Sequence, residues 1–266
     1  MAVPPLRALV DAGFEIALVV SRAERRRGRG GAVTPSPVKA AALELGLPVT
    51  DSVDDALAVG ADLGVVVAFG RIIKPHVLAE LPMVNLHFSL LPRWRGAAPV
   101  ERALLAGDER TGVCVMDVEE GLDTGGTYAC VEVPIGAEAT AADLRAELVE
   151  VGTQLLVDTL VAGLGTPSPQ VGEPTYADKI DPAELEIDWS RPSAEIDRLV
   201  RLGGAWTTYA GRRLKVWRVG PDGGMSVPTG DGTLALLEVQ PEGKGRMTAA
   251  DWARGARLGD GARFGS

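Results

Sequence analysis

The sequence predicts an α/β protein: an open, Rossmann-like, mostly parallel sheet followed by a small C-terminal OB-like β-barrel. Three observations carry that expectation. Leu63 to Phe69 is a continuous apolar run of strand length, the pattern of a strand covered on both faces of a parallel sheet. Apolar strands alternate with capped helical segments as far as residue 163. The composition then shifts to Gly165-Thr166-Pro167-Ser168-Pro169, with Gly172, Pro174 and Pro182 beyond, which reads as a linker. The expected division is an α/β domain over 1–165, a linker over 166–187 and a β-barrel domain over 188–266.

Pro4-Pro5 followed by Leu6, Leu9 and Val10 predicts a helix closed by Gly13. Glu15 to Val20 is an apolar strand, and Arg22 to Pro35 a polar, glycine-rich loop. Ser36 is placed as N-cap and Pro37 as the first residue of a helix through Leu45, with Gly46 as its C-cap. After Leu63–Phe69, the next strand is Val84 to His87. A short helix, Pro99 to Ala106, stops at Gly107, and strands follow at Val113–Val118 and Tyr128–Val133. Thr140, with Asp143 three residues on, caps a long helix carrying Leu144, Leu148, Val151, Leu155 and Thr159 at helical spacing. Past the linker, a helix near Ala194–Leu202 precedes short strands at Arg213–Val219 and Leu234–Val239.

At 266 residues, 46% hydrophobic and 24% charged, the chain can bury a sizeable core and has the balance of a globular protein. No apolar run approaches the roughly 18–20 residues of a membrane span, and Met1 to Val10 lacks the basic start and long apolar core of a signal peptide. The expectation is a cytoplasmic monomer with no membrane partner. Cys114 and Cys130 have no CxxC or CxxH spacing and are expected to be small core residues in a reducing cytoplasm. No metal is expected, because His87 with Cys114, Asp117 or Glu119 lacks ligand spacing. Gly28-x-Gly30-Gly31 is neither a P-loop nor a dinucleotide fingerprint.

The net charge is −9, but it is unevenly spread. Residues 1–188 hold 15 Lys/Arg against 28 Asp/Glu, net −13, whereas residues 189–266 hold 12 against 8, net +4. Within the acidic part, Arg22, Arg25, Arg26, Arg27 and Arg29 form one basic island. Such an island and a basic C-terminal part can meet a phosphate backbone; a solvated loop and ordinary surface explain the same pattern.

The chemistry concentrates in one stretch. Asn85 and His87 lie two apart on a strand, so the amide and the imidazole face one space. Ligands bind at strand carboxyl ends in α/β sheets. Candidate carboxylates to orient the imidazole lie in the acidic, glycine-rich loop Asp117 to Gly126: Asp117, Glu119, Glu120 and Asp123.

Asn85-x-His87, Ser89-Leu90-Leu91-Pro92-x-x-Arg95-Gly96-Ala97-Ala98-Pro99 and Gly121-Leu122-Asp123-Thr124-Gly125 resemble the signature of the folate-dependent formyltransferases. Gly28-Arg29-Gly30, Pro35-Ser36-Pro37-Val38-Lys39, Tyr176-Ala177-x-Lys179-Ile180 and Ile187-Asp188-Trp189 resemble the tRNA-acting branch of that family. So do Arg212-Arg213-Leu214-Lys215-Val216-Trp217 and Glu238-Val239-Gln240-Pro241, so the resemblance covers nearly the whole chain.

The resemblance implies 10-formyltetrahydrofolate as formyl donor and the amine of methionine on initiator tRNA as acceptor. It implies Asn85, His87 and Asp123 as catalytic residues. Ser89, Leu90, Leu91 and Pro92, with Val118, Glu119, Glu120, Gly121 and Leu122, would flank the folate, and Arg95 would help position ligand. Arg25, Arg26, Arg27, Arg29, Lys179, Arg212, Arg213 and Lys215 would contact the tRNA. Formylation of an amino-sugar nucleotide by the same trio is the alternative, and a non-catalytic remnant a further one. The family opens on a strand ending in Gly-Thr-Pro-Glu, so a central strand is expected to be lacking ahead of the first helix. The loss of its ladder partners is expected to exceed a typical stability of about 5–15 kcal/mol.

Overall fold

A computed structural model describes residues 1–23, 25–27, 32–256 and 264–265, with backbone only at 25–27, 32 and 33. The chain forms two compact units, one of residues 1–99, 110–134 and 145–177, the other of 100–109, 135–144 and 178–266.

The first unit opens with α1 (Val3–Asp11), which has proline at its start and Gly13 at φ +86° beyond its end. β1 (Val19–Val20) follows, then β2 (Arg25–Arg27) and β3 (Ala32–Thr34). The stretch expected as loop is therefore partly an antiparallel hairpin, pairing Arg25 with Thr34 and Arg27 with Ala32. The β-branched Val33 and Thr34 favour the strand, and the glycine-rich stretch between lies outside the described residues. α2 (Pro37–Glu44) begins as expected: the Ser36 hydroxyl accepts from the Lys39 amide at 3.1 Å, and Pro37 fills the first position. β4 (Val49–Thr50) pairs β1 in parallel over two residues, and this brief partner limits β1 to a fraction of the expected Glu15–Val20.

β5 (Gly64–Val67), α3 (Pro75–Glu80), β6 (Met83–His87), β7 (Arg95–Gly96), α4 (Pro99–Ala106), β8 (Arg110–Asp117), β9 (Thr127–Pro134), α5 (Ala141–Ala162) and β10 (Tyr176–Ala177) complete the chain order to residue 177, with α4 and the first turn of α5 belonging to the second unit. The main sheet runs β5-β6-β8-β9. β5 and β6 are parallel, whereas β8 and β9 are antiparallel, so the sheet is mixed. β6 thus has a ladder on each side.

Side chains alternate across β6. Leu86 and its neighbour Val113 face α5, where Gly152 lacks the Cβ that would press on Val113 and Leu86. Asn85 and His87 point to the opposite face.

That face also carries a correction. His87, Cys114 and Cys130 lie in one row across β6, β8 and β9, and the two cysteines form a disulfide rather than standing as separate core thiols. Their Cα atoms are 4.1 Å apart, the close approach of directly opposed antiparallel residues, and Cys130 is exposed.

β1 pairs only β4, and β5 pairs only β6, among the described residues. An apolar cavity of about 240 Å³ is lined by both strands and by Leu6, Leu9, Val38 and Leu63.

In the second unit, α6 (Ser193–Arg201) and α7 (Ala249–Ala256) cover an antiparallel sheet. Its strands are β11 (Trp206–Tyr209), β12 (Arg212–Gly220), β13 (Met225–Thr229), β14 (Gly232–Pro241) and β15 (Met247–Thr248). The order is β11-β12-β14-β13 with β15 also on β14. Register shifts between Val216 and Val219 add twist, so the expected barrel takes the form of a curled, open sheet. Ile196, Val200, Leu214, Val216, Leu236 and Trp252 form its core. Arg102 of α4 holds Glu184 through two nitrogens at 2.7 and 3.0 Å.

Candidate active site

His87 closes β6 and is only 5% exposed. Its Nε2 lies 2.9 Å from the Trp94 carbonyl. A carbonyl only accepts, so Nε2 carries the proton and donates it. Nδ1 therefore presents a lone pair in the neutral ring, and it faces Asp123 Oδ2 at 3.6 Å. Donation from Nδ1 to Asp123 requires a second proton on the ring.

Asp123 arrives from an unexpected direction. Its loop leaves β8 beside the start of β6, where the Val118 amide donates to the Met83 carbonyl at 3.0 Å. His87 lies four residues further along β6, about 13 Å at the usual rise of a strand. The loop therefore doubles back over the sheet face. Gly125 allows this, since a Cβ there would clash with the Asp117 carbonyl. Asp123 takes φ +51°, and its Oδ2 accepts from the Gly96 amide at 2.7 Å.

Asn85 is half-buried on the same face as His87, and no hydrogen bond to its amide is recorded among the described residues. Such a donor, open among the described residues and beside an imidazole–carboxylate pair, can serve a substrate oxygen.

The residues expected around a folate divide. Ser89 is fully buried and donates to the Arg93 carbonyl at 2.5 Å, so its hydroxyl braces the turn. Leu90, Leu91 and Pro92 are half-buried. Val118 packs on Val77, Leu81 and Met83. Glu119, Glu120, Gly121 and Leu122 are exposed, and Leu122, at 58%, offers an apolar surface on the loop that carries Asp123. Nearby, burial and then the Asp117 carboxylate push the Tyr128 phenol above its ordinary value.

Three residues of the site were missed by sequence reasoning. Trp94, at φ +62°, supplies the carbonyl that fixes the His87 tautomer, and its amide donates to the Thr175 hydroxyl at 2.9 Å. Gln170 binds Arg95 and the Asp123 loop. Gln170 and Thr175 come from the stretch expected to be linker, where the Pro/Gly signal concealed them. Arg95, expected to position ligand, is turned to Gln170.

In the second unit, Arg213 and Lys215 project from β12 while Leu214 and Val216 point inward. The Arg213 guanidinium lies 3.8 Å from the Trp206 ring centre, and Lys215 and Arg246 lie 5.8 and 3.5 Å from that of Trp217. Arg212 and Lys179 are exposed as well. Arg29 lies outside the described residues, as do the side chains of Arg25, Arg26 and Arg27.

An unengaged amide beside an imidazole–carboxylate pair, set at a strand end of an α/β sheet, suits transfer of an acyl-type group to a nucleophile. Residues 6–160 match the family described as formyl transferase, and residues 179–257 match the formyl transferase C-terminal domain. The chain belongs to the formyl transferase family.

More particularly, it is 40% identical to the methionyl-tRNA formyltransferase of Symbiobacterium thermophilum, over 97% of this chain and 90% of that protein. It is 44% identical to that of Roseobacter denitrificans, over 99% of this chain and 95% of the relative. Among solved structures, the N-formyltransferase from Helicobacter canadensis, in complex with folinic acid and dTDP-3-aminofucose, superimposes with a TM-score of 0.68. It is 17% identical and covers 88% of this chain and 95% of that one, which shows a shared fold.

Proposed function

We propose that this protein transfers a formyl group from 10-formyltetrahydrofolate to the amino group of methionyl initiator tRNA, as a cytoplasmic monomer serving translation initiation. The observation that carries the reading is the identity of 40 to 44% to methionyl-tRNA formyltransferases over nearly the whole chain.

Formyl transfer to an amine develops negative charge on the formyl oxygen and requires a proton to leave the nitrogen. The Asn85 amide, without a hydrogen-bond partner among the described residues, would donate to that oxygen; one such donor is typically worth about 3–4 kcal/mol of barrier. The proton enters the His87–Asp123 pair, whose facing atoms are Nδ1 and Oδ2. Trp94 and Gly96 hold the two partners, and the same pair returns the proton to the leaving nitrogen of the donor. The exposed Leu122 on the Asp123 loop and the half-buried Leu90 to Pro92 segment suit the flat, partly apolar pterin of a folate. Ser89, Val118, Glu119, Glu120 and Gly121 shape that rim.

The proposed division is a catalytic domain over 1–165, a connecting segment over 166–187 whose residues 168–177 pack on the site, and a tRNA-binding domain over 188–266. Cations interleaved with tryptophans on β12 suit a nucleic acid: Arg212, Arg213 and Lys215 would meet phosphates, with Trp206 and Trp217 beside them. Lys179 and the arginines at 25, 26, 27 and 29 would extend that contact. The deciding experiment compares formyl transfer from one donor to methionyl initiator tRNA and to an amino-sugar nucleotide. Formylated methionyl-tRNA is the expected product; turnover with the sugar alone would overturn the assignment.

A further inference from the structure

We propose that Gln170 is a positioning residue for the proton-transfer pair, holding the Asp123 loop against the turn that fixes His87. This rests on the reading of His87 and Asp123 as the pair that moves the proton.

The loop carrying Asp123 has two reasons to spring away. It doubles back along β6 from the Met83 end, and it places a non-glycine residue in the left-handed region at φ +51°. The contact that Asp123 itself makes with the other side is the Gly96 amide on Oδ2. That contact fixes the carboxylate but leaves the peptide on either side of the turn to be held by something else.

Gln170 supplies the hold. Its Nε2 donates to the Asp123 carbonyl and to the Gly125 carbonyl, each at 2.8 Å, so one amide nitrogen spans the turn. Its Oε1 accepts from Arg95 Nε at 3.1 Å and from a terminal Arg95 nitrogen at 2.7 Å. Arg95 sits between Trp94, whose carbonyl binds His87, and Gly96, whose amide binds Asp123. A single side chain therefore ties the backbone of the carboxylate to the turn that orients the imidazole.

The geometry calls for an amide. Two carbonyls require two donors, and a guanidinium requires an acceptor, all within one planar group. A carboxylate has no proton for the carbonyls, and an ammonium or guanidinium has no acceptor for Arg95.

Gln170 is itself anchored. On one side, Ser168 and Thr127 exchange two backbone hydrogen bonds at 2.8 Å. On the other, the Thr175 hydroxyl accepts from the Trp94 amide at 2.9 Å, and the Ala177 carbonyl accepts from the Ala97 and Ala98 amides at 2.8 and 3.0 Å. Residues 168–177 are thus a strap across the site, and both left-handed residues of the site, Trp94 and Asp123, are held by it.

The test uses the full chain and compares Gln170→Ala and the near-isosteric Gln170→Glu with Asp123→Asn and the double variant Gln170→Ala/Asp123→Asn. Each is assayed for formyl transfer to methionyl initiator tRNA, with kcat, both KM values and the pH profile of kcat. Both Gln170 single variants are expected to lose kcat by about 10–100-fold, the usual scale for groups that orient a catalytic residue. Both KM values are expected to stay within about threefold, and the limb of the pH profile that reports the His87–Asp123 pair is expected to move. In the Asp123→Asn background the Gln170→Ala change should add less than about threefold, because the group it positions no longer acts. Should Gln170→Ala fail to fold, Gln170→Glu carries the same expectation. A folded Gln170 variant with parental kcat and pH profile, or a full multiplicative loss in the double variant, overturns the proposal. Parental activity in Asp123→Asn would instead overturn the reading of the pair, so the two failures are told apart.

Discussion

Replacing Asp123 with asparagine keeps the shape of the side chain and removes one charge, and its consequence follows from the geometry. Asparagine tolerates the left-handed backbone at φ +51°. The Gly96 amide needs an acceptor, so the new carboxamide oxygen takes the place of Oδ2, the atom that also faces His87 Nδ1, and the NH2 takes the place of Oδ1. Nε2 is already committed as donor to Trp94, so Nδ1 of the neutral ring holds a lone pair that now faces a neutral amide oxygen instead of a carboxylate. The charge that would stabilise a second proton on the ring is gone, so the pair no longer takes the proton from the attacking amine effectively. Loss of a positioned acid–base group lowers kcat by roughly 10²–10⁴-fold, or about 3–5 kcal/mol of barrier. One charge-assisted hydrogen bond becomes a neutral one, so stability changes by only about 1 kcal/mol. The melting temperature then moves by a few degrees, about 2–4 °C. Single-turnover formyl transfer, with folate binding and thermal melting in parallel, separates these effects. A kcat within about tenfold of the parent, with the protein folded and folate bound, would refute this account.

Arg213→Ala and Lys215→Ala are each expected to raise the KM for methionyl-tRNA while leaving kcat near the parent value, and each should reduce the slope of log affinity against log salt by about 1; an unchanged slope would take these side chains off the phosphates. Glu184 is held below the ordinary carboxylate value, first by the Arg102 hydrogen bond and then by the Asp181 amide. A depressed folded value means that its contribution is present above the unfolded value and lost as pH falls through the folded one. Denaturant unfolding should accordingly show Glu184→Gln less stable than the parent at pH 7, with the gap closing in acid; a constant gap would contradict it. Amide exchange should be faster at Val65 and Val67, whose groups face the cavity edge of β5, than at Val66, which faces β6. Equal protection at the three would place a partner on that edge.

The parts of this protein that were legible in the sequence are those encoded locally. Ser36-Pro37 opened α2 as expected, and Thr140 and Asp143 bond reciprocally at the start of α5. Two-residue spacing on an apolar strand put Asn85 and His87 on one face of β6 without reference to anything else in the chain. What stayed hidden depends on distant pairing. An apolar run looks the same in a parallel or antiparallel ladder, so the reversal at β8 and the juxtaposition of Cys114 with Cys130 were not readable. β7 and β10 pair over two residues each, with Arg95 opposite Tyr176, too short for any periodicity to register. Gln170 was concealed differently: prolines and glycines that read as flexible spacing here hold a strap in place, and only the four hydrogen bonds of its amide reveal it.

The edges of β1 and β5 bear on the strand that carries Asn85 and His87 less directly than their place in an α/β sheet suggests. β1 and β5 each present an unpaired edge among the described residues, and the apolar cavity of about 240 Å³ is lined by both. The backbone groups on those edges lack ladder partners, and that penalty falls on β1 and β5. β6 stands one strand removed. Val65 pairs with Val84 on one side of it, and Cys114 with His87 on the other, so both of its ladders are complete. The partners of His87 and Asp123, namely Trp94, Gly96 and Gln170, all come from segments that follow β6 in the chain order. Loosening of the β1 and β5 edges would therefore lower the stability of the first unit without directly displacing His87 from Asp123. The approach of His87 to Asp123 and the integrity of the sheet edge are separable properties of this fold.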